Sequence, residues 1–104
     1  MPDGLLSQLR LIRSDGVGPV TYRRLLERYG TADAALAALP DLAKRSGKPL
    51  VACPVAQAEA ELERLAQAGG RLIALDDPDY PTLLAAIGDA PPVISVLGQA
   101  DLLN

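Results

Sequence analysis

Arg13-Ser14-Asp15-Gly16-Val17-Gly18-Pro19-Val20 separates two stretches of helical periodicity and sets how the two helices they predict are joined. Upstream, Leu5, Leu6, Leu9 and Ile12 recur at helical spacing while Gln8, Arg10 and Arg13 fall off that stripe, which predicts a helix over about residues 4–14. Two glycines in three positions then favour positive φ and a tight turn. Pro19 falls at the first position of a second helix, where its missing N–H costs nothing. Tyr22, Leu25, Leu26 and Tyr29 form the apolar stripe of that helix and Gly30 its stop. Two helices joined in this way leave the first N–H groups of the second helix pointing outward, with the partial positive charge of the helix dipole behind them, and a phosphate fits there. Arg23, Arg24 and Arg28 follow on the same helix and can hold neighbouring phosphates. The candidate nucleic-acid-binding residues are therefore Gly16, Val17, Gly18, Arg23, Arg24 and Arg28. The competing reading is a compact interhelical turn with arginines solvating an exposed face.

Thr31 is placed to cap a third, short helix with Leu36 and Leu39 inward, interrupted at Pro40. Asp41 is then expected to cap a further turn or two through Leu42 and Arg45, ended by Gly47. After Lys48-Pro49, Leu50 and Val51 are expected to plug the core. Val55, Ala58, Leu62 and Leu65 mark a longer helix over about 54–68, closed by Gly69-Gly70. The texture changes there. Arg71 to Leu75 reads as a buried strand, Tyr80 to Ile87 as a short helix ending at Gly88, and Pro92 to Gly98 as a second strand. Strand, helix, strand predicts a βαβ unit with a parallel pair. Two strands cannot make a covered parallel sheet, so the expectation is a larger α/β domain of which residues 70–104 are the start, with the boundary near Gly69-Gly70.

Composition agrees with a mainly α chain. The 104 residues are 49% apolar but contain no Phe or Trp and only three Tyr, so the core must come from Leu, Ala, Val and Ile. Cys53 is alone, which precludes an intrachain disulfide and favours a reducing compartment. The absence of His removes Cys/His zinc sites, Ser-His-Asp systems and imidazole acid–base chemistry. No apolar run approaches the roughly 20 residues of a membrane span and no signal peptide is visible, so a soluble, cytoplasmic protein is expected. The net charge of −3 argues against a simple basic nucleic-acid binder, but its distribution is uneven. Residues 1–30 carry five Arg against Asp3, Asp15 and Glu27, a net of +2, whereas residues 31–104 carry five cations against ten acids.

Other chemistry-bearing residues have ordinary explanations. Asp76, Asp77 and Asp79 do not continue into a calcium loop, and Asp79 is placed for helix capping. Glu59, Glu61 and Glu63 project to different sides of a helix and form a solvated face. Cys53 reads as a small buried hydrophobe, and Tyr22 and Tyr29 lie on the leucine stripe, where core packing outweighs base stacking. No catalytic, cofactor or metal residue is assigned.

Leu11-Ile12-Arg13-Ser14-Asp15-Gly16-Val17-Gly18-Pro19, the Tyr29-Gly30 pair, Leu39-Pro40, and Asp79-Tyr80-Pro81-Thr82-Leu83-Leu84 followed by Ile87, Asp89, Pro91-Pro92-Val93 and Gly98 together resemble the DNA-processing protein A family (DprA, also called Smf). The resemblance covers nearly the whole chain, and its most specific part runs from Tyr80-Pro81 to Gly98. It implies a SAM-like helical domain of the helix-hairpin-helix type over residues 1–69, then a Rossmann-like domain beginning at 70–104. It also implies a non-enzymatic mediator of natural transformation that binds incoming single-stranded DNA, helps load RecA recombinase, forms a homodimer and uses no cofactor. The family's main DNA pocket is expected beyond Asn104. Three functions stay open: a DNA-binding accessory domain, a protein-interaction module of the same protein, and a Rossmann-type nucleotide-using enzyme. The last is weakest, because Gly16 and Gly18 lie between helices rather than between a strand and a helix.

Overall fold

A computed structural model describes residues 3–75, 77–87 and 90–97. Four helices come first: α1 (Asp3–Arg13), α2 (Pro19–Tyr29), α3 (Ala32–Ser46) and α4 (Val55–Gln67). Strand β1 (Gly70–Ala74), the one-turn helix α5 (Thr82–Ala85) and strand β2 (Val93–Leu97) follow. The chain is mainly helical, as its composition predicts. Asp76, Gly88, Asp89 and everything from Gly98 onward lie outside the described residues, and with them the expected helix stop at Gly88 and strand end at Gly98.

Helix α1 is the centre of the packing. Leu9 and Leu11 are both fully buried, and positions two apart on a helix lie about 200° apart around its axis, so α1 is covered on opposite sides. On one side Leu11 joins Val17, Tyr22, Leu25, Leu36 and Leu39 in a cluster shared by α1, α2 and α3. On the other, Leu9 packs with Cys53, Ala58, Leu72, Ala74 and Val93, a cluster built from α1, α4 and both strands. Ile73, Tyr80 and Val96 form a third cluster on the opposite face of the strand pair.

The expected break at Pro40 does not occur. Helix α3 runs through it, and Asp41 is an exposed interior position rather than a cap. A proline inside a helix costs about 3 kcal/mol through the lost N–H and the clash with the preceding turn. Buried Leu36 and Leu39 before it, and Leu42 packed on the same cluster after it, hold both halves in one line. Thr31 accepts the Ala34 N–H at 3.2 Å, and Gly47 ends the helix with its own N–H on the Ala43 carbonyl at 3.1 Å. Leu50 packs against the first cluster, but Val51 is 57% exposed and does not plug the core. Neighbouring residues of an extended segment point to opposite sides, so only one of the two can face inward.

The strand pair is antiparallel, with Ile73 opposite Ile94 and Leu72 opposite Ser95; the expected parallel βαβ arrangement is not formed. A parallel crossover needs a helix long enough to carry the chain back along the strand, and α5 has only four residues. The connection instead closes on itself. The Leu75 N–H donates to the Pro92 carbonyl at 2.8 Å, and the buried Tyr80 hydroxyl donates to the Pro91 carbonyl at 2.7 Å. Helix α5 begins after Pro81, which as its N-cap residue provides no side-chain hydrogen bond, and the Asp79 carboxylate pairs with Arg71.

Candidate nucleic-acid interface

The turn between α1 and α2 is pinned from several directions. Ser14, buried at its start, donates its hydroxyl to the Arg10 carbonyl at 2.7 Å and accepts the Cys53 N–H at 3.0 Å. Asp15 and Val51 form a two-bond antiparallel bridge, at 2.9 and 3.3 Å. The Val17 side chain is buried in the first cluster and its N–H donates to the Ser14 carbonyl at 3.2 Å. Gly16 has φ +85°, and a Cβ there would lie 2.6 Å from a Leu50 methyl and 2.8 Å from the Pro49 carbonyl oxygen. Glycine is therefore required at 16 by both conformation and close approach.

Gly18 is different. It is exposed, its backbone is extended (φ −99°, ψ −176°), and nothing lies within 4 Å of where a Cβ would stand. It is the N-cap of α2 and provides no side-chain cap, so the N–H groups of Val20 and Thr21 sit in a first turn that offers them no intrahelical partner. Pro19 occupies the first helical position as expected, and no acidic residue occupies that turn.

The six candidate residues thus divide. Gly16 and Val17 build the turn, Gly18 opens it to solvent, and the arginines fall on two faces. Arg24 and Arg28 are exposed and share a helical row with half-exposed Val20; the Arg28 guanidinium lies 5.3 Å from the ring centre of Tyr29. Arg23 is half-buried and lines, with Gln8, Tyr22, Leu26, Leu75 and Pro92, a groove of about 380 Å³ between α2 and the strand connection. Tyr22 is buried and Tyr29 packs on the same cluster, in the core role expected of both.

Three cations that sequence reasoning did not single out lie near this turn. The Pro49 carbonyl that abuts Gly16 follows directly on Lys48, and Lys44 and Arg45 occupy the last turn of α3 just before it; all three are exposed. Their proximity depends on α3 running unbroken through Pro40 and returning to the hairpin, which no local pattern announces.

The remaining titratable groups are structural. Arg13 forms a two-pronged pair with Glu61 at 2.9 and 3.1 Å, and that hydrogen bonding raises its pKa further. Glu59 and Glu63 are exposed. Burial pushes the Cys53 thiol up, against the opposing pull of Arg10, which disfavours a reactive thiolate. Among the described residues no group of three or more carboxylate or thiol side chains is arranged to hold a metal ion, and no helix is long and apolar enough to cross a membrane.

Two helices joined by a pinned glycine turn, the second opening on an uncapped N-terminus, define a helix-hairpin-helix domain. The family model described as the DprA-like N-terminal HHH domain matches residues 3–64, and the chain belongs to that family. No curated protein matches the chain. The match spans α1 to α3 and most of α4, so family membership rests on the helices that build the hairpin and indicates a DprA-type role in DNA processing.

Proposed function

We propose that this chain is the accessory end of a DNA-processing protein and that it holds the backbone of single-stranded DNA at the start of α2, without reading bases and without catalysing a reaction. The observation that carries this reading is the opening of α2. Gly18 leaves the backbone unobstructed, the first turn has no side-chain cap, and Arg24 and Arg28 continue from it as an exposed row. A phosphate at the first turn meets N–H donors and the positive end of the dipole, and the arginines can take phosphates farther along the strand. Within the whole protein, this end assists a Rossmann-like region, begun by residues 70–104, that provides the main DNA grip and dimerises. That protein is proposed to act in the cytoplasm on DNA taken up during natural transformation and to help load RecA recombinase.

A titration of the chain with a fluorescent single-stranded oligonucleotide at low and moderate salt tests the reading. Binding is expected to be steeply salt-dependent, and Arg24→Ala with Arg28→Ala is expected to weaken it and flatten the salt slope by about 0.7 for each phosphate no longer neutralised. Absence of binding at low salt would overturn direct DNA contact. The apolar groove between Tyr22, Leu26 and Pro92 favours the second reading in that case, a protein-docking module whose DNA is handled elsewhere.

A further inference from the structure

The geometry points to a second phosphate-holding element beside the hairpin: the exposed cations Lys44, Arg45 and Lys48, carried to the glycine turn by the end of α3, bind the same nucleic-acid strand that meets the start of α2. The inference rests on the proposed function and names the part of the surface that completes it. Three observations support it. The segment following Lys48 is packed directly on the turn, through the Pro49 carbonyl and Leu50 against Gly16, and is tied to it by the Asp15–Val51 bridge. The turn that carries Lys48 is fixed rather than loose, since Ser46 donates its hydroxyl to the Leu42 carbonyl at 2.8 Å and accepts the Lys48 N–H at 3.2 Å. Finally, neither Lys44, Arg45 nor Lys48 takes part in an ion pair among the described residues.

Lys44 and Arg45 also complement the negative end of α3, which is the ordinary use of cations in a last turn. Lys48 lies beyond the Gly47 C-cap and is outside that explanation. The acidic groups closest in sequence to this patch and to the turn are Asp41 and Asp15, two carboxylates against three cations. A polyanion tracking from Gly18 across the turn therefore meets a net positive surface. The occupant that fits is a phosphodiester backbone, recognised by charge and not by base.

The test compares salt-dependent binding of a labelled single-stranded oligonucleotide to the full chain and its variants. Lys44→Gln with Arg45→Gln and Lys48→Gln is expected to weaken binding roughly tenfold or more at low salt and to reduce the salt slope by about 0.7 for each phosphate released. As a charge-matched comparison, Lys48→Gln is expected to weaken binding more than Arg64→Gln, since Arg64 is carried by α4, which packs on the side of α1 away from the cluster shared by α2 and α3. Circular dichroism of each variant checks that the helices persist. Unchanged binding by the triple variant, or equal losses from Lys48→Gln and Arg64→Gln, would overturn the inference. If Arg24→Ala with Arg28→Ala still weakens binding in that case, the reading of α2 survives alone. If the parent chain does not bind at low salt, both fall together.

Discussion

Gly16 and Gly18 stand two residues apart in one turn and do different work, so alanine at each position separates folding from binding. At Gly16 alanine meets both a left-handed backbone and a carbonyl oxygen 2.8 Å away that belongs to the main chain and cannot simply rotate aside. Gly16→Ala is expected to cost roughly 1–3 kcal/mol, read as a lower urea midpoint. Gly18 has an extended backbone open to any residue and empty space around its Cβ direction. Gly18→Ala is therefore expected to change stability by less than about 1 kcal/mol, since the narrower unfolded chain is offset by alanine's poorer fit to the N-cap position. The added methyl group nonetheless stands where a phosphate would approach the first turn of α2, so oligonucleotide affinity should fall. A stable Gly18→Ala variant that binds like the parent would show that the turn is only a fold device.

Helix α3 carries a local defect that the tertiary structure overrides, and removing the defect should strengthen it. Pro40 is exposed and leaves the Leu36 carbonyl without its intrahelical donor. Pro40→Ala is expected to raise stability by about 1–2 kcal/mol, the helix gain being partly offset by the greater freedom of the unfolded chain. Equilibrium urea unfolding with an unchanged slope checks this. The same element shows why some of the structure was legible in the sequence and some was not. Periodicity and the turn residues that follow each helix located α1, α2 and α4 closely, because each ends at a local signal, although the α1 stripe did not show that Leu11 is buried on the other side of the helix. Pro40 carried an equally local signal for a break, but the leucines on both sides answer to α1 and α2, which are distant in sequence. The direction of β2 was illegible for a similar reason: apolar strands look alike in either orientation, and only the brevity of α5 and the closure of Tyr80 on Pro91 select the antiparallel pair. At the candidate site, the hairpin and its arginines could be read directly. The division of Arg23 from Arg24 and Arg28, and the arrival of Lys48, required the fold.

At the scale of the whole molecule, the change of texture at Gly69-Gly70 does not coincide with a gap in packing. Leu72 and Ala74 of β1 and Val93 at the start of β2 share a buried cluster with Leu9 of α1 and Ala58 of α4. The helix that anchors the hairpin on one side is thus held on the other by the strands. Leu72 is only 5% exposed, so Leu72→Ala should cost about 2–5 kcal/mol, as large-to-small changes in packed cores do. That loss should fall on the helices as well as on the sheet. Tyr80 reports on the strand side once Tyr22→Phe and Tyr29→Phe silence the other tyrosines, while far-ultraviolet circular dichroism reports on the helices. In that background the two signals are expected to melt together, and Leu72→Ala to lower both midpoints equally. Separate transitions, with Leu72→Ala moving only the Tyr80 signal, would instead place a folding boundary at Gly69-Gly70 and leave the hairpin stable without the strands. The distinction reaches the proposed interface: with one cooperative unit, damage to the sheet loosens the side of α1 opposite the glycine turn and weakens DNA binding without altering any group that meets a phosphate.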